Sequence, residues 1–256
     1  MTSNQPPSEP FSESPQDPFD EYQQRWLAYR ATPWASLRYA VVAETLTRHL
    51  RPTSRVLDVG GGDGGDALPL AASGHDVTVL DTSRNMLALV DGVAVVHGSL
   101  DQIPEGTYDA VLCHLVLQYR RDTEADIARL ARALAPDGLL SVLVPGPVGP
   151  VLRAAARQGP AAARAELAAT HSRTETFDTD VRRISDAELA TAMAASNLKV
   201  VAQYGVRCLQ DLVLDDTRKA SDPDFYNDLL ALELEVCGLE PYNRLGVFTQ
   251  VLARRL

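Results

Sequence analysis

Residues 56–66 read Val-Leu-Asp-Val-Gly-Gly-Gly-Asp-Gly-Gly-Asp, with glycine at five of eleven positions and aspartate at 58, 63 and 66. A glycine run that leaves an apolar strand and opens a helix lets the backbone approach a nucleotide with no Cβ in the way. Gly60, Gly62 and Gly65 also satisfy G-x-G-x-x-G, the dinucleotide spacing, so the glycines alone leave two ligands open. The charges separate them. A pyrophosphate favours a helix N-terminus free of competing anions, and Asp58, Asp63 and Asp66 crowd that end. S-adenosylmethionine has no phosphate and carries a sulfonium and an ammonium, so an acidic loop suits it and would repel NAD. The chemistry on offer is methyl transfer by in-line displacement. Alignment of the partners lowers such a barrier by roughly 7–11 kcal/mol. A general base is needed only where the acceptor must lose a proton. No nucleophile motif is expected, and none is evident.

Further residues fall into place around that loop. Asp81 ends the next apolar strand, where a carboxylate can accept both ribose hydroxyls; a helix-capping role near Ser83 is the alternative. Thr82 follows it. Ser99 and Leu100 stand where an adenine ring should lie, and Met86 can pack on that ring. The expected cofactor set is Arg38, Asp58, Gly60, Gly62, Gly64, Asp81, Thr82, Met86, Ser99, Leu100 and His114. In it, Arg38 binds the cofactor's carboxylate from an N-terminal helix. The expected catalytic set is His114, Arg207 and Tyr119: His114 orients the cofactor or acts as base, Arg207 holds an anionic substrate group, and Tyr119 lines the pocket with Tyr29. For His114 and Arg38 the competing readings are a hydrogen-bonded structural histidine and an ion-paired surface arginine.

The elements that must position these residues alternate in period. Residues 22–50 recur helically, divided by Pro33. Arg55–Val59, Asp76–Leu80, Ala94–Val96, Ala110–Cys113 and Leu139–Val144 read as strands, separated by helices over Gly64–Ser73, Ser83–Val90 and Glu124–Leu134. Pro136-Asp137-Gly138 is a turn signature. Then the regularity lapses. An Ala- and Arg-rich helix over Val151–Thr170, a capping box at Ser185-x-x-Glu188, a strand at Lys199–Tyr204, a helix at Asp222–Gly238 and a final strand at Val247–Ala253 complete the chain. The expected fold is α/β: a doubly wound, seven-stranded, mostly parallel sheet with the last strand antiparallel. Helical insertions at about 145–185 and 208–246 are expected to cover the substrate. Residues 1–20, rich in proline and acids, are expected to form a disordered tail before a domain over 21–256.

The net charge is −10, half of it within residues 1–21, which hold five acids and no lysine or arginine. The remainder is still acidic, which opposes long-range attraction to nucleic acid. Three widely spaced cysteines imply neither a disulfide framework nor a zinc site, and suit a cytoplasmic protein. No stretch approaches the ~20 apolar residues of a membrane span. Oligomeric state is not legible.

Asp58-x-Gly60-x-Gly62-x-Gly64, Asp81, Asp109 and the Pro136-Asp137-Gly138 turn together resemble the class I S-adenosylmethionine-dependent methyltransferases from about Tyr29 to Leu256. Outside that core, Cys113-His114-Leu115-Val116-Leu117-Gln118-Tyr119, Gly205-Val206-Arg207 with Asp211, Leu232-Glu233, Glu240-Pro241-Tyr242, Leu245-Gly246 and Leu37-Arg38 are similar to segments of tRNA 5-carboxymethoxyuridine methyltransferases. The chain departs from that family at three places. Its 171–180 stretch lacks the family's Lys/Arg run, Gln118-Tyr119 replaces Glu-Trp, and Val247 replaces an Arg. The resemblance implies methyl transfer from S-adenosylmethionine, and the departures point to a small-molecule acceptor of secondary metabolism over tRNA. Two alternatives stay open: tRNA wobble-uridine carboxyl methylation, and a fold that binds the cofactor without methylating, as a cyclase or binding module.

Overall fold

A computed structural model describes residues 22–256 except 105, 175 and 177. The expected acidic tail lies outside the described residues. The first helices are α1 (Gln23–Arg30) and α2 (Pro33–Thr47). Pro33 starts α2 at its N1 position, where its missing N–H is no loss, and Thr32 caps it by accepting from Ala35 N.

The sheet contains β1 (Arg55–Val59), β2 (Asp76–Asp81), β3 (Ala94–His97), β4 (Tyr108–His114), β5 (Leu134–Pro145), β8 (Leu198–Val206) and β9 (Phe248–Arg255), in the order β3-β2-β1-β4-β5-β9-β8. The first five run parallel, and β9 lies antiparallel between β5 and β8. Because strand order reverses after β3, β1 and β4 become neighbours and a crevice opens at their carboxyl ends, the ligand position of doubly wound sheets.

The period-two alternation of the strands sorts residues between two apolar layers. Leu57, Val59, Val111, Cys113, Leu140, Val142 and Val251 face α5 (Thr123–Ala133) and α8 (Asp186–Ala195). Val56, Leu112, Leu139, Leu143 and Leu252 face Leu37, Val41, Val42 and Leu46 of α2. The same alternation puts Asp58, His114, Ser141 and Gln250 on the α2 side.

Several elements differ from expectation. The helix expected from Gly64 is confined to α3 (Ala67–Ala72), because Gly62 and Gly64 adopt φ of +55° and +77° and keep the chain in a turn. Between them and β3 lies the short α4 (Arg84–Leu87). The Pro136-Asp137-Gly138 turn is absorbed into β5 as an irregularity: Tyr108 pairs with Leu134 but Ala110 with Leu139, and Asp137 takes φ +58°. The single helix over Val151–Thr170 is two, α6 (Gly149–Gln158) and α7 (Pro160–Ala168), broken where Gly159 takes φ +93° before Pro160. A small antiparallel pair, β6 (His171–Thr174) and β7 (Thr179–Arg182), follows; its residues are too polar to show apolar alternation. The capping box is half formed. Ser185 Oγ accepts from Glu188 N, but the Glu188 carboxylate turns to Thr123 and Arg182. Between β8 and β9 stand α9 (Asp216–Ser221), unforeseen, and α10 (Pro223–Val236). No helix among the described residues is long and apolar enough to cross a membrane.

Candidate active site

The glycine-rich turn leaves β1 at the carboxyl edge. Gly60, at φ +72°, could carry no side chain, since a Cβ there would collide with Val116 beyond β4. Gly61 sits over Asp58: a Cβ would lie 2.6 Å from Asp58 Oδ2 and 2.9 Å from Val79. Gly65, a member of the dinucleotide spacing, has another reason to be small. A Cβ there would strike Arg30 and the Tyr39 ring, so its role is to admit the N-terminal helices.

The aspartates divide into paired and unpaired. Asp63 is bound by Arg30 Nε at 3.0 Å. Asp66 receives a bidentate pair from Arg38, Nη1 to Oδ1 at 2.9 Å and Nη2 to Oδ2 at 2.8 Å, and Oδ2 also lies 2.9 Å from His114 Nδ1. Burial alone would raise the Asp66 carboxyl, but the Arg38 charge and the hydrogen bonds from Arg38 and His114 outweigh it and hold the group at about 2. Asp58 is 1% exposed, and its Oδ2 has no hydrogen-bond partner among the described residues. Burial, then the neighbouring Asp66 charge, push its carboxyl well above the usual range. Arg30 and Arg38 each stand 4.2 Å from the Tyr39 ring centroid, a cation–π arrangement that lays α2 against the loop.

Asp81 braces two loops. Its Oδ2 accepts from Gly62 N and its Oδ1 from Ser83 N, each at 2.8 Å, while Ser83 caps α4 through Met86 N. Met86 is buried, its Cε 3.5 Å from the place of a Gly62 Cβ. Thr82 is half-buried, its carbonyl in contact with His97. Ser99 caps a 3-10 turn over Leu100–Gln102, and Leu100 belongs to the apolar layer on the α5 side.

Several polar residues expected to touch ligand are engaged within the chain, although Asp58 Oδ2 and Arg38 Nε have no hydrogen-bond partner among the described residues. Arg38, expected on a cofactor carboxylate, instead has both terminal nitrogens on Asp66, because this buried cation requires a buried anion. His114 has both ring nitrogens engaged, Nδ1 by Asp66 and Nε2 by Ser141 Oγ at 2.8 Å, so it offers no lone pair to an acceptor. Arg207 is buried and held bidentately by Asp211 at 2.9 and 2.6 Å, with a further hydrogen bond to Tyr29. Tyr119 bonds to Thr174 of β6, and burial raises its phenol. Leu115 and Arg207, just beyond β4 and β8, adopt left-handed φ of +58° and +61°, strain of a kind that gathers at functional edges.

Sequence reasoning missed the supports. The Glu233 carboxylate, fully buried, accepts from Cys208, Leu209 and Gln210 N at 2.7–2.8 Å and so shapes the turn that carries Arg207. Ser141 and Gln250 were legible only as lone polar residues in apolar strands. Among the described residues no group of His, Cys, Asp and Glu is arranged to hold a metal.

A family model, the methyltransferase domain, matches residues 26–203. The chain belongs to that family. It is a class I S-adenosylmethionine-dependent methyltransferase. It is similar to the tRNA 5-carboxymethoxyuridine methyltransferase of Escherichia coli K12, 27% identical over 241 residues that span 88% of this chain and 90% of the relative. It is also similar to the trans-aconitate 2-methyltransferase of Methylobacterium nodulans, 33% identical over 165 residues, 59% of this chain and 64% of the relative. In fold it resembles Burkholderia thailandensis 1,6-didemethyltoxoflavin-N1-methyltransferase, solved with 1,6-didemethyltoxoflavin and S-adenosylhomocysteine. The TM-score is 0.56 at 18% identity, over 93% of this chain and 84% of that one. The cofactor of this methyltransferase is S-adenosylmethionine. Two features of the site fit it: the buried Asp58 oxygen without a partner, and the Cβ-free turn above it.

Proposed function

We propose that this methyltransferase acts on a small organic acceptor. The observation that carries the reading is that four of the six arginines of the 150–185 segment are paired with the chain's own acids. Arg173 pairs with Asp178 at 2.8 Å, Arg157 with Asp216 at 2.7 Å, Arg182 with Glu188 and Arg183 with Glu166. An RNA backbone is bound by cations that displace its counterions. Arginines already matched by carboxylates contribute little to that, and a net charge of −10 opposes approach. The names of the two curated relatives contain carboxylate-bearing substrates, a modified uridine and trans-aconitate, which makes small carboxylic acids the first acceptors to test.

When bound, S-adenosylmethionine supplies a methyl group already activated on a sulfonium. In this reading Asp58 balances the cofactor's positive charge, and Asp81, braced by Gly62 and Ser83, accepts the ribose hydroxyls. Gly60, Gly62 and Gly64 keep the turn open to the cofactor, while Thr82, Met86, Ser99 and Leu100 flank the adenine. Arg38 and His114 hold α2 and the loop together and do not touch the acceptor. Arg207, oriented by Asp211 and Tyr29, faces the acceptor with Tyr119, and the insertions at about 145–185 and 208–246 exclude water from them. Catalysis is then mainly alignment.

The similarity over 88% of the chain to a tRNA methyltransferase favours a second reading, with tRNA as acceptor. Filter binding to total tRNA at low salt separates the two. Micromolar or tighter, salt-sensitive binding would overturn the small-molecule reading. Turnover of labelled donor with a panel of mono-, di- and tricarboxylic acids, at negligible tRNA affinity, is the expected outcome.

A further inference from the structure

A chain of buried hydrogen bonds leads from the site across the α2 face of the sheet. Thr45 Oγ1 of α2 lies 2.6 Å from Gln250 Oε1. Gln250 Nε2 of β9 donates to Ser141 Oγ of β5 at 3.1 Å. Ser141 Oγ lies 2.8 Å from His114 Nε2 of β4, and His114 Nδ1 lies 2.9 Å from Asp66 Oδ2, which Arg38 also binds. Thr45, Ser141 and Gln250 are each 0% exposed, and His114 7%.

The Asp66 end of this chain fixes the ring. An ionised Asp66 only accepts, so His114 must carry a proton on Nδ1. Ser141 Oγ meets the other ring nitrogen, and Gln250 holds that hydroxyl from β9. At the far end Thr45 Oγ1 lies 2.6 Å from Gln250 Oε1 and 2.8 Å from the Val42 carbonyl, and its single proton serves one of the two. An unmade bond at this depth is unfavourable.

We propose that Ser141 and Gln250 are positioning residues for the cofactor site, acting by fixing the His114 ring with its Nδ1–H on Asp66. Asp66 stands at the N-cap of α3, where the glycine turn enters the helix, and it is the anion to which Arg38 ties α2. Neither Ser141 nor Gln250 reaches the turn. Their effect passes through His114 to the carboxylate that clamps α2 over it. The proposal concerns the cofactor site and is independent of the acceptor's identity.

The test uses the whole chain, S-adenosylmethionine and S-adenosylhomocysteine. Long-range ¹⁵N–¹H spectra, with His114 assigned by its loss in H114Q, are expected to show a proton on His114 Nδ1. An Nδ1 without a proton would overturn the proposal, and this measurement needs no folded Ser141 or Gln250 variant. By calorimetry, S141A and Q250M are expected to weaken both ligands five- to twentyfold and to change the His114 spectrum. S141T, which keeps the hydroxyl, is expected to stay within about twofold of the parent. Affinity unchanged in S141A and Q250M, or lost equally in S141T, would sink it. Failure of the parent chain to bind either ligand would instead contradict the cofactor assignment.

Discussion

Asp58 and Asp66, eight residues apart in one acidic run, are pulled to opposite protonation behaviour by their partners. Asp58 is buried without a cation of its own, so the folded chain holds its proton more tightly than the unfolded chain does. The folded state then binds more protons in the window above the usual carboxylate range, and stability falls as pH rises through the raised value. Asp66, held at about 2 by Arg38 and His114, has the opposite sign. Its stabilisation is present above the ordinary carboxylate value and is lost as pH falls toward about 2. D58N is therefore expected to raise the melting temperature of the ligand-free protein at pH 7, by about 2–4 °C for each kcal/mol at this size. The same variant should bind S-adenosylmethionine at least tenfold more weakly, because its cation loses the matching anion. Scanning calorimetry and titration calorimetry on one sample check both halves; a less stable D58N with unchanged affinity would contradict this account. D81A is expected to weaken the cofactor by about 1.5–3 kcal/mol, the range for a charge-assisted hydrogen bond, again by titration calorimetry.

At the scale of elements, the carboxyl edge is assembled by side chains that serve other segments. Glu233 of α10 accepts three successive backbone N–H groups of 208–210, and Lys219 of α9 donates to the Gln210 carbonyl, so the turn carrying Arg207 is closed from two sides. E233Q presents an amide that cannot accept all three N–H groups, and is expected to destabilise the fold by about 1–3 kcal/mol in urea denaturation. Faster hydrogen exchange should be confined first to the amides of 208–210. G65A tests a different element contact. Its Cβ would strike Arg30 and Tyr39, so a loss of roughly 1–3 kcal/mol is expected. Part of that loss should appear as α1 and α2 loosening from the loop, read by exchange over 23–47.

For the whole molecule, the two insertions are joined by Arg157 of α6 and Asp216 of α9, which bond bidentately at 2.7 and 3.0 Å across 59 residues of chain. The pair is partly exposed, and such pairs contribute about 0–1 kcal/mol. R157A is accordingly expected to leave global stability within ~1 kcal/mol while limited proteolysis of 149–170 accelerates. Stability lost well beyond that would show that the insertions are integral to the core.

The glycine turn, its strand–turn–helix setting, Asp81, the seven-strand alternation and the family were all legible in the sequence. They rest on local signals: period, glycine placement and charge within a few residues. The turn's preference for a sulfonium over a pyrophosphate was legible for the same reason, since Asp58, Asp63 and Asp66 are neighbours in the chain. Only the tertiary structure decided which of those acids has a cation, because Arg30 and Arg38 reach Asp63 and Asp66 from helices more than twenty residues upstream. It likewise decided that His114 and Arg207 spend their hydrogen bonds inside the protein. His114 meets Asp66 from 48 residues away, Ser141 from 27, and Gln250 joins Ser141 across 109. A buried polar group takes whichever partner the fold brings to it, and that partner has no fixed spacing in sequence.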